Sequence, residues 1–537
     1  MWLSIQLIVT WPKIDSDHLL VTPQEMAKLE AQMFSGGMPI EALMEKASIS
    51  ASEWFLGKAD LLNEGVIVLV GPGHNGGDGL VVARELHLSG IDVSIWCPFD
   101  ISKTLTLRHL EYARFIGIKQ LSKCPDSKDQ HLWIDALFGV GQSRPLPKSI
   151  SSLFHNRKRH HPNGLISLDV PSGLCSDSGI AFEGGAAYAS YTLTIGLIKK
   201  GLLQDSALEN VGKLVRIDIG IPEFILRRLK KRQILTIYSS DINTLKMPQA
   251  GVASHKYERG RLWIVAGSDK YRGAALLALK GALASGVGSI HASLPVDVSK
   301  NIWQVIPEIV LRGSIKNDSL GHAVLSDIEI QDGLKNTDAL LIGPGLGRGF
   351  NGWDFIKTNL LDFDGLLILD ADAINKLSTL SDGIEWLKKR RGKTWLTPHP
   401  GEFARLFPRI DLDSPLEAAI RAAELTGASI VLKGAHSVIA SPEGVAWQLF
   451  ETGPWSARIG LGDLLAGFVS GIGAVGWASE KNASAQLLSS AVFLHSESAI
   501  RAPNGSSATA ICETLAKLIK KIQAENVDLE TFFRLQE

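Results

Sequence analysis

Residues 65–70 read Gly-Val-Ile-Val-Leu-Val and run straight into Gly71, Pro72, Gly73, His74, Asn75, Gly76, Gly77, Asp78 and Gly79. A short, unbroken apolar run is what a central parallel strand needs, because helices cover both of its faces. Leu80, Val81, Ala83, Leu86 and Leu88 follow at helical spacing. Strand, glycine loop and helix make the first unit of a Rossmann-like sheet, which binds ligands at that turn. The glycines are not spaced Gly-x-Gly-x-x-Gly, and no acidic residue follows the next strand cleanly. An ordinary redox dinucleotide site is therefore not expected. Five of the nine loop residues are glycine, more than a simple turn needs, so a functional loop is expected.

Two more apolar runs end in polar residues, where an open α/β sheet places its chemistry. Residues 132–138 lead into Gly139, Val140, Gly141, Gln142, Ser143, Arg144 and Pro145, and residues 165–170 lead into Pro171, Ser172 and Gly173. Asn75, Asp135 and Ser172 offer hard oxygens suited to an alkali or other hard cation. Asp169, at a strand end, can act as a general acid or base. Singly, each of these residues also fits a side chain satisfying a turn. Ahead of this unit, Met26, Leu29 and Met33, then Ile40, Leu43, Met44 and Ala47, predict two packed helices.

At 537 residues the chain exceeds what one core supports, and two domains are expected. The charge run at 226–232 (Leu-Arg-Arg-Leu-Lys-Lys-Arg) reads as a surface helix end and marks the boundary, giving domains 1–233 and 234–537. Beyond it the α/β pattern restarts. Strands are expected at 262–267, 289–294, 339–342, 366–369, 394–397 and 429–432, with a small-residue helix over 274–286. No Gly-x-x-x-x-Gly-Lys-Ser/Thr occurs, so nucleotide binding of the P-loop kind is excluded. A formal net charge of -1 provides no field to gather nucleic acid or an anionic membrane. Four widely spaced cysteines argue against a zinc site or a disulfide framework and fit a reducing compartment. The apolar opening, residues 1–11, lacks a positive n-region and a cleavage site and is too short to span a bilayer. A cytoplasmic protein without a membrane anchor is expected.

Near the C-terminus, Gly460, Leu461, Gly462 and Asp463 open a helix carrying Leu464, Leu465, Phe468 and Val469 at helical spacing. The backbone N–H groups of Gly460, Leu461 and Gly462 can converge, and the helix dipole adds positive potential, which makes an anion cradle suited to phosphate. Asp463 in that first turn either caps the helix or acts as a base.

The glycine loop, residues 135–145 and Leu168-Asp169-Val170-Pro171-Ser172-Gly173 resemble the epimerase half of the NAD(P)H-hydrate repair enzymes; Lys200-Gly201-Leu202 also fits. In the second half, the order Gly-Ser-Asp-Lys-Tyr-Arg-Gly-Ala, Gly-Pro-Gly-Leu-Gly, Leu-Asp-Ala-Asp-Ala, Thr-Pro-His-Pro-Gly-Glu, Lys-Gly-Ala-His, Gly-x-Gly-Asp resembles the dehydratase half, which has a ribokinase-like fold. The resemblance covers nearly the whole chain. It implies a Rossmann-like three-layer domain followed by a ribokinase-like α/β domain, acting on hydrated NADH and NADPH. It implies K+ on Asn75, Asp135 and Ser172. Residues 74–78 (His74, Asn75, Gly76, Gly77, Asp78), residues 139–145 and Asp169 would hold the hydrate in the first domain. In the second, Ala274, Gly345, His399 and Asp463 would contact the hydrate, and Lys433, Gly434, Ala435, His436, Ser437 and Gly462 the nucleotide. Mg2+ on the phosphates, ADP as donor and a homo-oligomer follow from the same resemblance. Asp463 and Asp169 are the expected catalytic groups, with Lys200 a lesser one. This chain has His74 where the family usually has Asn, and Leu461 where it has Thr or Ser. Two other readings stay open: a small-alcohol kinase, and an N-terminal domain that binds without catalysis.

Overall fold

The computed structural model describes residues 11–534 except Arg228, residues 230–232, 249–254 and 327–329, Pro454, Ser456 and Asn482. Part of the charge run expected at the boundary lies outside the described residues. The chain divides into two compact units: Ile14–Ile234, and Leu235–Glu537 together with Met1–Lys13.

The first unit is built on a 7-stranded sheet in the order Lys119–Gln120, Val93–Trp96, Val66–Val70, Leu132–Ala136, Leu165–Leu168, Tyr191–Ile195 and Lys213–Ile217. Every pairing in it is parallel. The strand Val66–Val70 is apolar throughout because both faces are covered. Val66, Val68 and Val70 enter one buried cluster, and Ile67 and Leu69 enter another. The two expected N-terminal helices are Pro23–Ser35 and Ile40–Leu56. The first starts at a reciprocal capping box between Thr22 and Glu25. The strand Leu20–Val21 pairs in parallel with Ile198–Lys199, which fixes the position of Lys199.

The glycine loop is shorter than its sequence implies. The helix begins at His74, so Asn75, Gly76, Gly77 and Asp78 belong to its first turns. Gly76 allows close packing there, since a Cβ on it would lie 2.0 Å from the Gly71 carbonyl oxygen.

The second unit carries an 11-stranded sheet whose central strands Ser289–Pro295, Arg261–Val265, Ala339–Ile342, Leu366–Leu369, Thr394–Leu396 and Ser429–Leu432 pair in parallel. The antiparallel hairpin Val438–Ala440 and Ala446–Leu449 extends it. Two helices, Arg272–Ala284 and Leu461–Glu480, pack against each other at backbone contact distance. A Cβ on Gly467 would lie 1.8 Å from the Ala278 carbonyl oxygen, and one on Gly281 would lie 2.1 Å from that of Leu464. Among the described residues, Leu461–Glu480 is the one helix long and apolar enough to match a membrane span, yet most of it is buried inside this unit. Its apolar composition is that of a core helix.

Candidate active sites

In the first unit a cavity of about 1080 Å³ opens at the C-terminal ends of the parallel strands. Of the residues expected there, it is lined by His74, Asn75, Asp78, all of residues 139–145 and Asp169. Gly76 and Gly77 are buried in the helix and do not line it. Asp169 ends the strand Leu165–Leu168 with a φ of 64°, a left-handed conformation unusual for a side-chain-bearing residue. Its Oδ1 lies 2.6 Å from the Lys199 ammonium, and its Oδ2 accepts from the Val140 N–H at 3.0 Å. Lys199 is 1% exposed. Burial, chiefly, pushes the Asp78 carboxyl up to about 8, although the Ser48 hydroxyl donates to it at 3.0 Å. Burial, and then the nearby Lys103 charge, hold His74 below the usual histidine value.

Beneath the cavity floor, Asp135 is fully buried. It accepts from the Ser172 hydroxyl at 2.7 Å and N–H at 2.9 Å, the Ser167 hydroxyl at 2.9 Å and the Leu137 N–H at 3.2 Å. Burial raises its pKa, and the groups that oppose this are neutral hydrogen-bond donors. The Phe138 N–H donates to Ser172 Oγ at 2.9 Å. The Asn75 Oδ1 is buried without a hydrogen-bond partner among the described residues, while its Nδ2 donates to the Leu168 carbonyl at 3.4 Å.

In the second unit, Gly460 caps the helix Leu461–Glu480 in the left-handed region, with a φ of 92°. The first intrahelical bond runs from the Leu464 N–H to the Gly460 carbonyl. The N–H groups of Leu461, Gly462 and Asp463 therefore have no partner within the helix. Desolvation, then repulsion from Asp370, brings the Asp463 carboxyl up to about 7, with Lys433 acting in the opposite direction. The Lys433 ammonium is 3.0 Å from Asp370 Oδ1, which also accepts from the Thr397 hydroxyl at 2.7 Å. It stands 3.6 Å from where a Cβ on Gly462 would be, so it faces the helix start directly. Ala371, between Asp370 and Asp372, has a φ of 47°, a second strained strand end among the described residues. His399 caps the helix Pro400–Leu406 through the Gly401 N–H, and its Nε2 lies 3.2 Å from Glu402. Burial, then Lys433, lowers its pKa. Ala274 packs beside Gly345. Residues 434–437 form a tight turn closed by the Ser437 hydroxyl on the Gly434 carbonyl at 3.1 Å.

Both halves match known families along the chain. The NAD(P)H-hydrate dehydratase family matches residues 262–523, and the YjeF-related protein N-terminus family matches residues 40–201. A bifunctional NAD(P)H-hydrate repair enzyme of Synechocystis sp. is 36% identical over 486 residues, covering 90% of this chain and 90% of that protein. One of Gloeobacter violaceus is 38% identical over 462 residues, 84% of this chain and 88% of its own length. The chain belongs to the bifunctional NAD(P)H-hydrate repair enzyme family. Among solved structures, the ADP/ATP-dependent NAD(P)H-hydrate dehydratase of Bacillus subtilis is similar, at 27% identity and a TM-score of 0.41, over 53% of this chain and 96% of that one.

Within this repair-enzyme frame, the lysine at the N-terminal cavity is Lys199. Lys200 turns instead to Asp177, at 3.2 Å. The pairing of Ile198–Lys199 with Leu20–Val21 decides which of the two adjacent lysines faces the cavity, and nothing in their spacing encodes that. Glu30 also lines the cavity, from the first helix. Asp370 and Asp372 were visible in the Leu-Asp-Ala-Asp-Ala motif without a role. His495 lies on the later helix Ala485–Arg501, hydrogen-bonded to the Leu461 backbone and driven by burial to a pKa of about 4. Its sequence neighbourhood carries no motif.

Proposed function

We propose that the N-terminal unit interconverts the R and S hydrates of NADH and NADPH, and that the C-terminal unit dehydrates the S form with ADP, releasing AMP and phosphate. The hydrate carries a hydroxyl that leaves poorly; once phosphorylated, it is expelled by the ring nitrogen's electrons. Asp463, poised near neutral pH, takes the hydroxyl proton as the phosphoryl group arrives. The N–H groups at residues 460–462 stabilise the charge on the transferring phosphoryl, a preorganised electrostatic role. Lys433 restrains the Asp463 pKa and faces the nucleotide side of the turn. The observation that carries this reading is Asp463 itself: an acid–base group near neutrality in the first turn of a helix with free N–H groups.

Asp370, Asp372 and Asp463 crowd hard oxygens into one corner that Lys433 partly offsets. Among the described residues no three such side chains are placed to hold a metal ion by themselves, so a Mg2+ would be held chiefly by the nucleotide phosphates, whose charge it would neutralise. For K+, the unpartnered buried Asn75 Oδ1 and a buried Asp135 opposed only by neutral donors fit an alkali cation held with the Ser172 hydroxyl. The ion would supply positive charge to the polar end of the N-terminal cavity. The protein is read as a cytoplasmic homo-oligomer.

The test is to incubate the protein with mixed NADH-hydrate epimers, Mg2+, K+ and ADP or ATP, and to follow the return of reduced-nicotinamide absorbance. Full recovery with ADP is expected. Recovery of only one epimer's share would overturn the epimerase assignment, and no recovery would overturn the dehydratase one.

A further inference from the structure

Helix Pro23–Ser35 buries Met26, Leu29 and Met33. Met26 packs on Gly196, at the turn between the strands Tyr191–Ile195 and Ile198–Lys199. One helical turn later, on the same face, Glu30 lines the cavity with Met26. It forms no hydrogen bond or ion pair with the described residues, so its carboxyl is available to a bound molecule. The charges acting on it are Asp169 and Lys199, and Asp78 feels it in turn. Glu30 also precedes the stretch matched by the N-terminal family, residues 40–201.

Resting on the epimerase reading of this cavity, we propose that Glu30 is a catalytic residue: the second proton-transfer group, working with Asp169 on the hydroxyl-bearing carbon of the hydrate. Inverting that carbon requires a hydroxyl to leave one face and water to add to the other. One group must give a proton and another must take one. Glu30 donates its carboxyl proton to the hydroxyl oxygen. The carbon–oxygen bond breaks, the adjacent ring nitrogen's lone pair forms a carbon–nitrogen double bond, and water departs. A water molecule then attacks the planar carbon from the opposite face, and its proton passes to the Asp169 carboxylate. Glu30 ends ionised and Asp169 protonated, which is the starting state for the opposite epimer. The two carboxyls hold one proton between them in both directions. Burial and the Asp169 charge, which raise the Glu30 pKa, support its carrying that proton. Lys199, bound to Asp169, and Asp78, which feels the Glu30 charge, are the nearest charged groups, and His74, Asp100, Lys103 and Arg144 also line the cavity.

The experiment starts from purified S hydrate in K+ without nucleotide, following the R epimer by chromatography. Wild-type conversion well above the spontaneous rate establishes the epimerase reading; its absence would sink that reading separately. With it established, E30Q is expected to lower kcat by about 100-fold or more with KM within about twofold. E30D should recover part of the rate, and the bell-shaped pH profile of kcat should lose one limb in E30Q. Thermal melts of E30Q and E30D that match wild type exclude misfolding as the cause. A folded E30Q with wild-type kcat, or one that loses rate only through KM with the bell intact, would overturn the proposal.

Discussion

The Lys433 ammonium is 3.0 Å from Asp370 Oδ1, and both act on the carboxyl of Asp463 in the facing helix turn. Burial raises the Asp463 pKa most, Asp370 raises it further and Lys433 lowers it, so the Lys433 charge holds down where the base ionises. Asp463 must be ionised to accept a proton, so dehydration should fall as pH drops below about 7. K433M removes the stabilising charge and should move this acidic limb upward. Each unit of that shift costs about tenfold in ionised base below the pKa. A pH profile of kcat/KM for K433M that overlays wild type would contradict this effect of Lys433.

Asp463→Asn keeps the shape of the turn and removes the base. Dehydration should drop by about 10²–10⁴-fold, while R/S interconversion continues at the wild-type rate. Both rates can be read on one preparation, by absorbance with ADP and by chromatography without it. A folded variant that lost both activities would mean that Asp463 has another role.

Much of this arrangement is written in the sequence. The strand Val66–Val70 is legible because a strand buried on both faces cannot alternate, and the helix start at Gly460 because glycine and helix onset are local signals. The glycine stretch was harder to read. Glycines that permit close helix packing and glycines that cradle a ligand look alike in sequence, so residues 74–79 read as loop although they are helix. Lys199, not Lys200, turns inward because strand pairing with a distant segment decides it, and the spacing of the two lysines does not encode that. Asp370, Glu30 and His495 take their places through tertiary packing alone.

Lys199 and Asp169 form a buried pair, at 1% and 11% side-chain exposure. K199M should abolish epimerisation and also destabilise the N-terminal unit, because an unpaired buried carboxylate costs about 3–5 kcal/mol. Replacing both partners, as in D169N/K199M, should recover most of that stability but no activity. Denaturant melts of the two singles and the double test this as a cycle. Additive losses would mean that the pair is not coupled.

K+ should raise the melting temperature and the epimerisation rate of the wild type relative to Na+, with little effect on dehydration. In N75A the orphaned Oδ1 is gone, and both responses to K+ should vanish. A K+-dependent melt that persists in N75A would move the ion elsewhere.

Gly467 lies one helical turn beyond Asp463, and its packing should matter to the chemistry. A methyl group there would lie 1.8 Å from the Ala278 carbonyl oxygen, a backbone atom that cannot swing aside. In G467A the helix Leu461–Glu480 must therefore shift against Arg272–Ala284, at a cost of about 1–3 kcal/mol or more. Lys433 and Asp370 sit on other elements and do not move with it. The shift carries Asp463 and the N–H groups of its first turn away from them, and a displacement of about 1 Å can cost about 100-fold in rate. G467A should therefore melt earlier and dehydrate about 100-fold more slowly at a temperature where it is still folded, while epimerisation is unchanged. If a folded G467A dehydrates at the wild-type rate, close packing of the two helices is not what positions Asp463.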